Sequence, residues 1–282
     1  MTEREAMGAS PSPFVEPSAE EVERWQSRLD ASLRSHTETV GAPTRWVRSV
    51  VVVPSIGSTQ DLARDRGPVA GEVITALRQT AGRGRFGRGW DDTIDAGTAT
   101  SFVIPALPAE VLLLRSAVAV AIAIELLRPG ALRVGIKWPN DLIAPDGGKL
   151  GGILIECVGQ VAIVGVGINV LQRTFPPDIA PRARSLGMLG VAVERVEVVE
   201  RLIISFEQWL DADLNLVRAA YLERDVLRGT MARFRVGDRV VIGRVIEVDP
   251  AHGIRIAREG GEEVLPAALT TLAVDPGGWE PT

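Results

Sequence analysis

Lysine is nearly missing from this chain of 282 residues: of its 31 basic side chains, only Lys137 and Lys149 are not arginine. Histidine is almost as scarce, with His36 and His252 lying outside every motif-like segment. That leaves no basis for Ser-His-Asp, Cys-His or His-ligated metal chemistry. A single cysteine, Cys157, excludes an intramolecular disulfide and a Cys-ligated zinc site. No long uncharged apolar run exists either. The most hydrophobic stretch, VLLLRSAVAVAIAIELL from Val111, carries Arg115 and Glu125 and reads as a core helix rather than a span. The first residues lack the apolar core of a secretory signal, so a soluble cytoplasmic protein is expected. A net charge of -5 opposes a general role on nucleic acid.

What is present is concentrated. Both lysines fall in one Gly-rich stretch, IKWPNDLIAPDGGKLGGILIE. Lysine is a compact point charge on a flexible stem and arginine a planar fork, so a site shaped around an ammonium does not accept the exchange. Upstream, QTAGRGRFGRGW (79–90) sets Arg83, Arg85 and Arg88 among four glycines. Three cations so close repel unless an anion joins them, which describes a loop closing on phosphate or carboxylate. Gly82 to Gly87 matches G-x-G-x-x-G, but GWDDTIDAGTAT after it is poor helix sequence, so the dinucleotide fingerprint is rejected. A Walker A loop fails because Arg88-Gly89 stands where Lys-Ser/Thr is required. A solvated basic hairpin leaves Trp90 unexplained, whose ring is suited to stack on a base.

Residues 1–44 form an N-terminal extension, its first 17 residues expected to be disordered. One helix follows at 18–35, with Ser18 and Glu21 as a capping box. One helix is too little for a winged helix-turn-helix, so no DNA-binding domain is expected. Strands are expected at 46–53, 71–77, 99–106, 133–138, 151–158 and 160–170, the last three pairing antiparallel. Helices are expected at 57–66, 109–128 and twice within 194–228. The result is a mixed α+β domain, 45–229, with helices on one face of the sheet. Residues 230–275 read as a small β-barrel and 276–282 as a tail.

Four ordered motifs, GRGRFGRGW, KWPNDL, GGKLGGILIE and VGVGINV, with GSTQ before them, resemble the signature set of biotin-protein ligases. The resemblance spans about residues 46–274. It implies a class II synthetase-like catalytic domain with a largely antiparallel sheet and an SH3-like C-terminal barrel. The implied reaction activates biotin with ATP and Mg²⁺ as biotinyl-5'-adenylate, then transfers it to a lysine of a biotin carboxyl carrier protein. In that reading Ser58, Thr59, Gln60 and Gln79 bind biotin, and Arg83, Gly84 and Arg85 close over its carboxylate. Gly151 and Gly152 let the backbone approach. Lys149 touches carboxylate and α-phosphate. Arg83, Arg85, Arg88, Trp90, Lys137, Asn140, Lys149 and Asn169 bind ATP, and Asp141 orients the incoming amine. The implied catalytic set is Lys149, Arg85, Arg83 and Asp141, with Mg²⁺ carried by the substrate phosphates. Gln60 replaces the usual Asn, and Phe86 a commonly polar residue. Cys157 is expected to fill core. A homodimer is left open. A lipoate-protein ligase and a non-catalytic nucleotide- or RNA-binding module are the alternatives.

Overall fold

The computed structural model describes residues 16–40, 44–87, 89–90, 96–249, 252–266 and 270–272. The disorder expected for the extreme N-terminus, the side chain of Phe86, Arg88 and the final tail lie outside them. Helix α1 (Ala19–Val40) begins after Ser18, whose Oγ accepts the Glu21 N–H at 3.1 Å. The Glu21 carboxylate does not appear in the reciprocal half of the box; it lies 3.6 Å from Arg195.

One seven-stranded sheet organises the chain. Its strands are β1 (Ser49–Ile56), β2 (Glu72–Gln79), β5 (Gly97–Pro105), β6 (Gly135–Lys137), β7 (Asp141–Ile143), β8 (Lys149–Val158) and β9 (Val161–Asn169), in the order β1-β2-β5-β9-β8-β7-β6. Only β1 and β2 run parallel. Between β2 and β5, β3 (Gly82–Arg83) pairs with β4 (Gly89–Trp90) as a separate minute hairpin. The β8–β9 pairing is as expected, but 133–138 does not reach 151–158. The three-residue β7 intervenes, formed by the chain as it leaves the WPN turn.

Period-2 apolar residues give the sheet two buried faces. Val73, Phe102, Ala162 and Val164 meet α1, α3 (Ala109–Glu125), α4 (Arg195–Asp211) and α5 (Leu214–Leu222). Phe102 stacks on Phe206 of α4 at 3.9 Å between ring centroids. Ile74, Val103 and Ile163 point the other way, onto Ala63 of α2 (Thr59–Asp65). Helices on one face only is therefore a misreading: α2 covers the reverse side, and its seven residues are too few to show a stripe in the sequence.

The charges in α3 have internal partners. Arg115 donates to the carbonyls of Trp209 and Ala212 at the end of α4, at 2.9 and 2.7 Å. Glu125 pairs with the buried Arg224 at 2.7 Å. The outer margin of β1 is occupied by a side chain. Gln26 of α1 donates to Val50 O at 2.9 Å and accepts from Val52 N at 3.0 Å. The first strand also starts three residues later than expected, because Glu207 accepts the N–H groups of Arg45, Trp46 and Val47.

The C-terminal part is a second antiparallel sheet: β10 (Met231–Val236), β11 (Arg239–Asp249), β12 (Gly253–Arg258), β13 (Gly261–Pro266) and β14 (Thr270–Leu272), in the order β13-β12-β11-β10-β14. Among the described residues β13 and β14 do not pair with each other, so the pairings show a sheet and not a closed barrel. No helix of the described residues is long and apolar enough to cross a membrane. Cys157 departs from expectation: it is exposed. Burial declines along its face of β8 from Ile153 through Ile155 to Cys157, where the strand outruns the core.

Candidate active site

A cleft of about 730 Å³ opens on the sheet between the β3–β4 hairpin, the β6–β7 turn and the 175–183 segment. Ser58, Thr59, Gln60, Gln79, Arg83, Gly84, Arg85, Trp90, Lys137, Asn140, Asp141, Lys149, Gly152 and Asn169 line it. Gly151, one position away, does not; a Cβ there would meet Ile168 at 2.6 Å and the Gly167 carbonyl at 2.7 Å. Its smallness serves β8–β9 packing.

One end of the cleft is neutral and polar. Ser58 caps α2, its Oγ accepting the Asp61 N–H at 3.5 Å. Thr59 N donates to Gln79 Oε1 at 3.0 Å, and Thr59 Oγ1 lies 2.8 Å from Ser101 Oγ. Gln60 Nε2 donates to the carbonyls of Leu154 and Ile163 at 3.4 and 3.3 Å. All four side chains of the GSTQ–Gln79 group are buried, yet carry no net charge. They suit a small neutral ligand with donors and acceptors on one edge.

The other end is cationic. Lys149 Nζ is 2.5 Å from Asp141 Oδ1, and Lys137 Nζ is 3.8 Å from Asp141 Oδ2. Burial pulls the Lys137 ammonium below its ordinary range; the Asp141 charge resists, while Lys149 and Arg182 add to the fall. Arg85 Nη1 reaches Asn140 Oδ1 at 3.5 Å, and Asn140 itself is pinned by Nδ2 to the Ile153 carbonyl at 2.7 Å. Asn169 holds backbone: it donates to the carbonyls of Lys149 and Arg184 at 3.3 and 3.0 Å. Lys149 is fixed from the other side as well, its N–H donating to Arg182 O at 2.6 Å.

Between these ends Gly152 of β8 and Gly165 and Gly167 of β9 line the cleft. A Cβ on Gly167 would stand 2.5 Å from Trp90 Cε2, and one on Gly165 would stand 2.7 Å from Gln60 Oε1. Trp90 therefore packs against β9 at Gly167, with Lys149 Nζ 5.7 Å from its ring centroid. Gly165 and Gly167 were not assigned to the site from sequence, although their spacing of two in VGVGINV places both on one strand face. Arg182, Asp178 and Phe175 also line the cleft, with Thr271 and Leu272 of the second sheet. They lie in segments without a motif. Arg83 lines the cleft too, but its guanidinium is turned to Glu156 at 3.0 and 2.7 Å.

Residues 52–172 match the model of the biotin/lipoate A/B protein ligase family. The chain is 35% identical over 263 residues to the biotin-[acetyl-CoA-carboxylase] ligase of Mycobacterium tuberculosis, across 87% of this chain and 96% of that one. It is 32% identical to the ligase of the same description from Paracoccus denitrificans, across 69% and 88%. Its fold is similar to that of the biotin protein ligase from Aquifex aeolicus solved with biotin and ATP, at TM-score 0.69 and 24% identity, covering 79% of this chain and 98% of that one. This chain belongs to the biotin/lipoate A/B protein ligase family.

Proposed function

We infer that the protein is an ATP-dependent biotin-protein ligase. It converts biotin to biotinyl-5'-adenylate and passes the acyl group to a lysine of a biotin carboxyl carrier domain. The observation that carries this is the polarity of the cleft: a buried neutral cluster at Ser58, Thr59, Gln60 and Gln79, a glycine-floored channel, and two ammonium groups around Asp141. A ureido ring fits the first, an aliphatic acid chain the second, and a carboxylate meeting a phosphate the third.

In the first step a biotin carboxylate oxygen attacks the α-phosphorus of ATP, and the bond to pyrophosphate breaks. Such a substitution depends on positioning and charge neutralisation, which Lys149 and Arg85 supply without an enzyme nucleophile. Lys137 and Asn140 flank the phosphates, and Trp90 supports the base. Mg²⁺ is part of the nucleotide substrate. Among the described residues no three His, Cys, Asp or Glu side chains converge to hold a metal ion. In the second step the acceptor amine attacks the acyl carbon, AMP leaves with the bonding pair, and the amine gives up its proton. Asp141, already among ammonium groups, orients that amine.

The reading places the catalytic unit at 45–229, with a class II synthetase-like sheet, and a small SH3-like unit at 230–275. A cytoplasmic setting fits the substrates. The test is pyrophosphate release with biotin, ATP and Mg²⁺, each omitted in turn: release must require all three. Equal release with lipoate in place of biotin would favour the other branch of the family.

A further inference from the structure

Arg83 is the root of the β3–β4 hairpin, and its charge is already matched. Nη1 and Nη2 donate to the two oxygens of Glu156 at 3.0 and 2.7 Å, and Nη2 lies 2.9 Å from Asp61 Oδ1. Arg64 closes the ring, bonded to Asp61 and 3.8 Å from Glu156. Two guanidiniums and two carboxylates thus tie the hairpin to α2 and to β8. These are the elements that carry Ser58, Thr59 and Gln60 at one end of the cleft and Lys149 at the other. A bidentate guanidinium–carboxylate pair fixes orientation as well as distance. Two residues further along, Arg85 reaches Asn140. On the opposite strand Trp90 pairs with Gly82 and lies on Gly167.

We propose that Glu156 and Asp61 are positioning residues that hold Arg83 as the fixed root of the Arg-rich loop, with Arg85, among the described residues, a cation of that loop that faces the cleft. Arg83 is then an anchor and not a group that closes on the biotin carboxylate. This deepens the ligase reading and rests on it. The opposite role for the same contacts is a latch: the carboxylates would compete with ligand for Arg83, and their loss would tighten binding.

The two roles predict opposite signs. The full-length Glu156→Gln, Arg83→Gln and double variants are compared with Glu156→Asp. The readouts are KM for biotin, kcat for pyrophosphate release, and the lifetime of enzyme-held biotinyl-5'-adenylate. For the anchor, each single amide variant raises the KM and shortens adenylate retention about tenfold with kcat nearly kept. The double variant is no worse than either single one, because the residues act as one unit. Glu156→Asp recovers part of the retention, which a general loss of folding does not explain. Longer retention in Glu156→Gln, additive losses in the double variant, or a far larger loss in Arg83→Gln than in Glu156→Gln would overturn the proposal. Wild-type protein that releases no pyrophosphate in response to biotin would instead overturn the ligase reading.

Discussion

Asp141 stands between the only two lysines of the chain, 2.5 Å from Lys149 and 3.8 Å from Lys137. The scarcest cation in the composition is thus gathered around one carboxylate, inside the cleft that the family's motifs build. An ammonium held this way is oriented before any anion arrives, which is what stabilisation of developing charge requires.

Lys149→Arg keeps the charge but replaces a point donor with a wide fork, so it should lose most adenylation. A cost of about 2–4 kcal/mol in transition-state stabilisation is expected, by analogy with lost oxyanion donors. Biotin-dependent pyrophosphate release measures it, and near-normal release by this variant would remove Lys149 from its role.

Gly167→Ala should displace Trp90, since the added methyl falls 2.5 Å from the ring. Overpacking of this kind costs about 1–3 kcal/mol. KM for ATP should rise, and indole fluorescence should change. Gly57→Ala, whose methyl would find only Ala81 at 3.9 Å, should leave both unaltered.

Asp225 offers a pH test away from the cleft. Burial raises its carboxyl above the usual 3.8, against the N–H groups of Leu227 and Arg228 and the Arg228 charge. The folded state therefore binds this proton more tightly than the unfolded chain does. The resulting contribution to stability falls as pH rises from 3.8 through the raised value. Asp225→Asn lacks that fall. Its melting temperature relative to wild type should be least favourable below pH 3.8 and rise to a plateau at neutral pH. A difference that stays flat across the acid range would contradict the assignment.

Glu207→Ala should destabilise the fold without touching the cleft. It strips partners from the N–H groups of Arg45, Trp46 and Val47 at once. With about 1–3 kcal/mol for each buried group left unpaired and these only partly buried, a total near 2–4 kcal/mol is expected from urea unfolding. KM for biotin should not move.

The sequence carries the sheet well where apolar residues persist over a long run, as in Val161–Asn169, and poorly where an element is short. The three residues of β7 and the seven of α2 hold too few periods to show a face. The cleft was legible because its groups come in local motifs: GSTQ, the Arg loop, KWPND and GGK all reach it. Contacts made across the fold were not. Glu156 lies 73 positions from Arg83, and nothing local marks it as that residue's partner. Glu207 is equally silent in the sequence, since its carboxylate serves backbone some 160 positions away.

Gln26 gives the N-terminal helix a second duty. Its amide bridges Val50 and Val52 and so occupies two backbone groups on the outer margin of β1 that a stray strand would otherwise pair with. The helix that packs on the core therefore also guards one margin of the sheet against pairing with another chain.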